Sequence, residues 1–183
     1  MAQGSTVHAF SVELADVDRN AYATLDLRVA RHPSETPEFL LTRLLAYCLE
    51  YTEGIVFTDG VGAVDEPAVL VRDLTGQLTA WIEVGAPSAE RLHKGAKAAP
   101  RCAVYTQRDP EQLLELYSAA KAGFKIHRAA EIPLYSFGRG FIEGVAATLP
   151  RRGKIAVSRT EGQLYLDIDG VTHAAGVETH ALG

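Results

Sequence analysis

The stretch of this sequence whose residue types and spacing could do chemistry is Val64-Asp65-Glu66-Pro67, followed by Trp81-Ile82-Glu83-Val84-Gly85 and then Arg91, Lys94 and Lys97. In a strand over 79–85, side chains alternate faces, so Trp81, Glu83 and Gly85 share one side and Ile82 and Val84 the other. Glu83 is then a carboxylate in an apolar strand. Burial without a partner is costly, so it must meet a cation, a metal ion or the end of the sheet. A hard divalent ion, magnesium or manganese, takes oxygen ligands, which Asp65 or Glu66 together with Glu83 could supply from neighbouring strands. Such an ion polarises a phosphoryl oxygen and acidifies its bound water. A nearby lysine then stabilises charge on the phosphate or orients the attacking water. Gly85 stands two residues after Glu83, where a lysine would serve. Arg91, Lys94 and Lys97, spaced by three, offer a replacement as one basic stripe on the next helix. The competing reading makes Glu83 the partner of Arg72 or Arg91 in an ordinary salt bridge, with the stripe a solvated helix face.

The elements that must position these groups are legible in the patterning. Val7 to Leu14 and Ala23 to Ala30 alternate apolar and polar residues around the turn-rich stretch Asp16 to Asn20, which predicts an antiparallel hairpin. Thr36 suits a helix cap and Pro37 its first turn. Leu40, Leu41, Leu44, Leu45, Cys48 and Leu49 then recur at three and four, so one face of a helix to about Tyr51 is core. Val69 to Val71 and Leu78 to Val84 read as strands around a turn at Asp73 to Gln77. Ser88 to Ala99 reads as helix, Cys102 to Thr106 as a buried parallel strand, and Asp109-Pro110 opens a helix through about Ala122. Ile132 to Phe137 predicts a strand and Gly140 to Leu149 a weak helix. Lys154 to Val157, Gln163 to Ile168 and Val171 to Ala174 look like added strands, with turns at Glu161-Gly162 and Asp169-Gly170. The order suits a mixed sheet with helices on its faces.

Bulk properties narrow the function classes. The 183 residues fit a single domain over 1–183, and 47% hydrophobic with 22% charged residues is globular composition. No run reaches the roughly 18 apolar residues of a membrane span, and the opening has no export signal, so a soluble cytoplasmic protein is expected. Cys48 and Cys102 read as buried hydrophobes of a reducing compartment. A net charge of -5 argues against coating nucleic acid by bulk electrostatics and leaves only local patches to bind phosphate.

The segments Asp16-Val17-Asp18-Arg19-Asn20, Ala30-Arg31-His32-Pro33-Ser34-Glu35-Thr36, Asp65-Glu66-Pro67 and Trp81-Ile82-Glu83-Val84-Gly85 with Lys94 resemble the YaeQ family across most of the chain. The resemblance implies an α/β, restriction-endonuclease-like fold: a central mixed sheet flanked by helices, carrying a variant of the PD-(D/E)XK metal-nuclease motif, with the N-terminal hairpin and extra C-terminal strands. Asp65 or Glu66 then looks like the first acid, Glu83 like the acid of the E-x-K element, and Lys94 like a lysine moved onto the next helix. Glu38 is where related nucleases place an additional acid. Arg91, Lys97 and His32 complete the candidate set. His32 is either a proton shuttle or a residue that holds its loop by hydrogen bonding. Two positions depart from the motif: Ala68 follows Pro67 and Gly85 replaces the lysine. The expected activity is magnesium-dependent phosphodiester hydrolysis. The alternatives are a catalytically silent nuclease-fold protein that binds nucleic acid or a protein partner, and a hydrolase of small phosphorylated molecules.

Overall fold

The computed structural model describes residues 4–62, 64–120, 123–138 and 140–183. The alternating N-terminal pattern forms β1 (Thr6–Asp16) and β2 (Ala21–Arg31), paired antiparallel from Thr6 opposite Arg31 to Asp16 opposite Ala21. On β1 the period of two buries Phe10, Val12 and Leu14. The hairpin is therefore as expected, with each strand one or more residues longer at both ends.

The C-terminal strands are more than additions. β8 (Arg152–Thr160) runs parallel to β1, and β9 (Gln163–Ile168) pairs antiparallel with β8. β10 (Val171–Ala181) pairs with β9 through Gly176 and with β7 (Pro133–Phe137) from Val177 onward. Beyond β7 follow β6 (Arg101–Thr106), β5 (Leu78–Val84), β4 (Val69–Arg72) and β3 (Ile55–Phe57). The strands of the described residues thus make one ten-stranded mixed sheet, ordered β2-β1-β8-β9-β10-β7-β6-β5-β4-β3, nearly closed and barrel-like, with β10 belonging to both halves. The three residues of β3 fall where no strand is legible in the sequence pattern.

Curling explains the central helix. α1 (Pro37–Leu49) begins as its sequence dictates, the Thr36 hydroxyl accepting from the Phe39 N–H at 3.1 Å with proline in the first turn. Every residue from Leu40 to Leu49 is buried, polar Thr42 and Arg43 included. This corrects the expectation of one core face. Its leucines pack with Phe10, Val12 and Leu27 of one half and with Ile82, Val84 and Tyr105 of the other, so the sheet covers it from two sides.

Enclosure forces Arg43 to find a partner. Its Nη1 lies 3.0 Å from Glu35 Oε1 with both side chains fully buried, and its Nη2 donates to the Ala30 carbonyl at 2.7 Å. Arg31 Nε donates to the Glu35 carbonyl at 2.9 Å. Much of the segment 30–36 is therefore architecture: it seats one cation against the core. Gly60 closes over this pair with φ 66°, and a Cβ there would lie 1.9 Å from Arg43 Nη1.

On the other face of β5 and β6, α2 (Ala89–Ala98) and α3 (Pro110–Ala120) cover a second cluster containing Trp81, Leu92, Val104, Leu113 and Tyr117. Ser88 caps α2, accepting from the Arg91 N–H at 3.3 Å. The expected end of α3 at Ala122 lies outside the described residues. α4 (Phe141–Ala146) is shorter than its sequence suggests and packs on α1. Among the described residues, no helix is long and apolar enough to cross a membrane.

Candidate functional site

Pairing of β4 with β5 brings the loop before β4 to the end of β5, and α2 then lies across both. Glu83 faces α2 beside Trp81, as the alternation requires, and is only 3% exposed. Both of its oxygens are occupied. Oε1 accepts from Trp81 Nε1 at 2.8 Å and from Arg91 Nε at 3.0 Å, and Oε2 accepts from an Arg91 Nη at 3.3 Å. Arg91 also donates to the carbonyls of Val64 at 3.0 Å and Glu66 at 2.7 Å. One guanidinium thus ties the end of β5, the loop 64–66 and α2 together. Burial pushes the Glu83 carboxyl up from its ordinary range, and Arg91 opposes that shift.

Asp65 makes a separate pair. Its Oδ1 accepts from Lys94 Nζ at 2.8 Å, with the two side chains 88% and 49% exposed, and the lysine holds the Asp65 carboxyl below its usual value. Lys94 Nζ also stands 5.9 Å from the Trp81 ring centroid. The Glu66 side chain is exposed, its backbone carbonyl being the group that Arg91 engages. Lys97 is exposed further along α2. Asp65, Glu66, Glu83, Arg91 and Lys94 therefore share one patch, in which Glu83 is bonded to Arg91 and Asp65 to Lys94. Of the two partners the sequence offered for Glu83, the nearer cation is the one used; Arg72 instead reaches the Gly76 carbonyl at 3.1 Å.

A magnesium or manganese ion does not fit this arrangement. It would have to replace the guanidinium on Glu83, since two cations against one buried carboxylate repel strongly. Among the described residues, no three His, Cys, Asp or Glu side chains gather with metal-binding spacing. Gly85 adds a backbone reason for the missing lysine. Its φ is 87°, and a Cβ would meet Phe39 of α1 at 3.1 Å, so a side chain there would leave the sheet away from Glu83.

Glu38 and His32 lie apart from the patch. His32 Nδ1 is 2.6 Å from Ser34 Oγ and accepts from the Ser34 N–H at 3.1 Å, which fastens the loop before α1. Glu38 lines a cavity of about 730 Å³ at the carboxyl ends of β6 and β7 with Gln107, Arg108, Ser136, Glu178 and His180. Ser136 Oγ lies 3.1 Å from His180 Nε2 and 3.4 Å from Glu178 Oε2. Sequence reasoning missed Ser136, Glu178 and His180. The available signal was the period of two that sets Glu178 and His180 on one face of β10. Cys48 and Cys102 are buried and free, their thiols pushed up to about 12 by burial, so they serve as packing groups.

Fold and site together define a mixed α/β protein in which a curled ten-stranded sheet holds a buried carboxylate against an arginine. The family model described as YaeQ protein matches residues 1–176, and the chain belongs to that family. Relatives include the protein called uncharacterized protein YaeQ in Escherichia coli (strain K12), 39% identical over 106 residues, and its counterpart in Salmonella typhi, 38% identical over 105. The matched stretch is 58% and 57% of this chain, and spans 59% and 58% of those two proteins. The crystal structure of YaeQ from Pseudomonas syringae matches with a TM-score of 0.85 at 30% identity, covering 98% of both chains. That of YaeQ from Xanthomonas axonopodis pv. citri also gives 0.85, at 26% identity, covering 97% of this chain and 98% of the other.

Proposed function

We propose that this protein acts by binding a polyanion, nucleic acid first, on the α2 face rather than by hydrolysing it. The observation that carries the reading is Glu83 saturated by internal donors from Trp81 and Arg91, so that it acts as a lock between β5, α2 and the loop 64–66. Around that lock the exposed cations Lys94 and Lys97 face solvent on α2. Lysines on one helix face attract phosphates by charge and counterion release, which gives binding with little sequence preference. On this reading the kinship with PD-(D/E)XK nucleases is one of framework: acid before β4, acid on β5 and lysine on α2 keep the nuclease order while arginine takes the place of the ion.

A second reading, the magnesium-dependent nuclease, draws support from the gathering of Asp65, Glu66, Glu83 and Lys94 in one patch. It requires Arg91 to leave Glu83. One experiment separates the two: single- and double-stranded DNA and RNA are incubated with the protein under magnesium or manganese, and binding is followed by anisotropy across salt concentrations. The expected result is no cleavage above that of Glu83→Ala. Binding should weaken with salt, with the slope falling by about one for each of Lys94→Ala and Lys97→Ala. Cleavage by the wild type that Glu83→Ala abolishes overturns the binding proposal, and so does the absence of salt-dependent binding.

A further inference from the structure

The segment Asp16 to Asn20 does not reach the α2 patch. Arg19 instead lines a cavity of about 540 Å³ at the opposite end of β5, together with Arg101, Arg159, Glu50, Tyr105 and Tyr135. The cavity sits where α1 ends, between the turn after β1, the end of β8 and the beginnings of β5 and β6. Three guanidinium groups on one cavity, in a chain of net charge -5, repel one another unless something negative holds them.

Each of the three has a carboxylate within ionic range, and the buried one, Glu50, is fully used. Glu50 is 6% exposed; it accepts from Arg101 Nε at 2.7 Å, from an Arg101 Nη at 2.6 Å and from the Tyr105 hydroxyl at 2.7 Å. That two-pronged pair neutralises one guanidinium. Arg19 donates to the carbonyls of Leu49 at 2.6 Å and Tyr51 at 3.0 Å, closing the end of α1. Its charge is opposed by Asp16 at 3.8 Å.

Arg159 is paired less well. Its Nε lies 3.3 Å from Asp18 Oδ2, within ionic range, yet is buried without an aligned acceptor. Asp18 is already occupied, its oxygens accepting from the backbone N–H groups of Glu161 at 2.7 Å and Gly162 at 2.9 Å. The cavity is therefore lined by one guanidinium whose Nε lacks an aligned acceptor, a second that donates to carbonyls and meets its carboxylate at 3.8 Å, and Thr52 beside them. A tetrahedral oxyanion, with acceptor oxygens in several directions, matches donors that come from separate elements better than a flat carboxylate does. Tyr135, stacked on Tyr105 at 4.7 Å, forms part of the wall beside the arginines.

We propose that this cavity binds the phosphoryl group of a small anionic ligand, with Arg159 and Arg19 as its principal cationic contacts. The site is separate from the α2 face, so its fate is independent of the polyanion reading.

Titration calorimetry with inorganic phosphate, glycerol 3-phosphate and adenosine monophosphate tests it, the three probes distinguishing a free anion from a phosphate on a flexible or a planar carrier. Saturable binding of at least one is expected. Arg159→Gln should weaken it about tenfold or more, the loss expected when a charge-assisted contact goes. Lys125→Ala, at an exposed lysine outside this cavity, should leave it unchanged. Because Arg159→Gln also removes the Asp18 contact and could unfold the chain, the Arg159 Nε–H resonance of the wild type gives a second readout, and it should move during the titration. No saturable heat from any of the three probes overturns the proposal. So does binding that Arg159→Gln leaves intact, or a titration in which that resonance stays fixed.

Discussion

Replacing Glu35 by alanine removes the anion paired with Arg43, whose side chain is fully buried. The guanidinium keeps its bond to the Ala30 carbonyl at 2.7 Å and its place 5.7 Å from the centroid of Phe57, neither of which carries a full negative charge. Burial already draws the Arg43 guanidinium below its usual value, with Glu35 as the chief opposing influence. Breaking a buried pair by removing one partner costs about 3 to 5 kcal/mol. With roughly 2 to 4 °C lost per kcal/mol in a domain of this size, the melting temperature should fall by about 6 to 20 °C. The pair is itself incompletely satisfied, since Glu35 Oε2 and Arg43 Nε are buried with no partner. Apolar replacement of both, Glu35→Leu with Arg43→Met, should therefore recover most of the loss, to within about 1 to 2 kcal/mol of the wild type. Urea unfolding followed by circular dichroism and by tryptophan emission measures all three proteins. The reasoning fails if Glu35→Ala stays within about 1 kcal/mol of the wild type, or if the double variant is as unstable as the single one.

Two further outcomes bear on the patch. Gly95→Ala should gain about 1 kcal/mol of helix propensity and lose more, because its Cβ would stand 2.4 Å from Trp81 Cδ1 and overpacking costs about 1 to 3 kcal/mol. Net destabilisation with shifted emission from Trp81, the one tryptophan in the chain, is expected; a stabilised variant with unchanged emission contradicts it. For Glu83→Gln the expectation concerns pH. A carboxyl raised in the fold binds more protons folded than unfolded, so wild-type stability falls as pH rises above the ordinary value of 4.5, a slope the glutamine variant lacks. Urea midpoints from pH 4 to 7 should show the difference between wild type and variant shifting toward the variant with rising pH, and a constant difference contradicts the assignment.

What could be read from the sequence was local. Thr36 and Ser88 cap helices because a side-chain oxygen one residue before the first turn meets a free N–H, and that needs no knowledge of the rest of the chain. The alternation of β1, β2 and β5 was likewise visible, and with it the shared face of Trp81 and Glu83. What could not be read depends on contacts distant in sequence. Arg43 occupies the polar side of a helical pattern, and it is buried by Ala30, Glu35, Phe57 and Gly60, none of them on α1. The parallel pairing of β1 with β8 joins Ala9 to Arg152, which no local signal announces. The candidate acids were legible as residue types and as neighbours. That Glu83 would close on Arg91 rather than hold an ion is a matter of which cation the α2 helix brings within reach, and periodicity does not specify that.

The shared membership of β10 in both halves of the sheet has a consequence for biogenesis. The strands that seal one side of α1 are β1, β8 and β9, and β10 joins them to β7 only near residues 176 and 177. While the ribosome has released β1 through β7 but not β8 onward, the leucine-rich helix lacks that cover and β1 and β7 each present an unpaired edge. Such open edges and apolar surface invite association with other chains. The vulnerable interval therefore lasts until about the last sixth of the polypeptide emerges, and chaperones that shield nascent chains would find their substrate in that window.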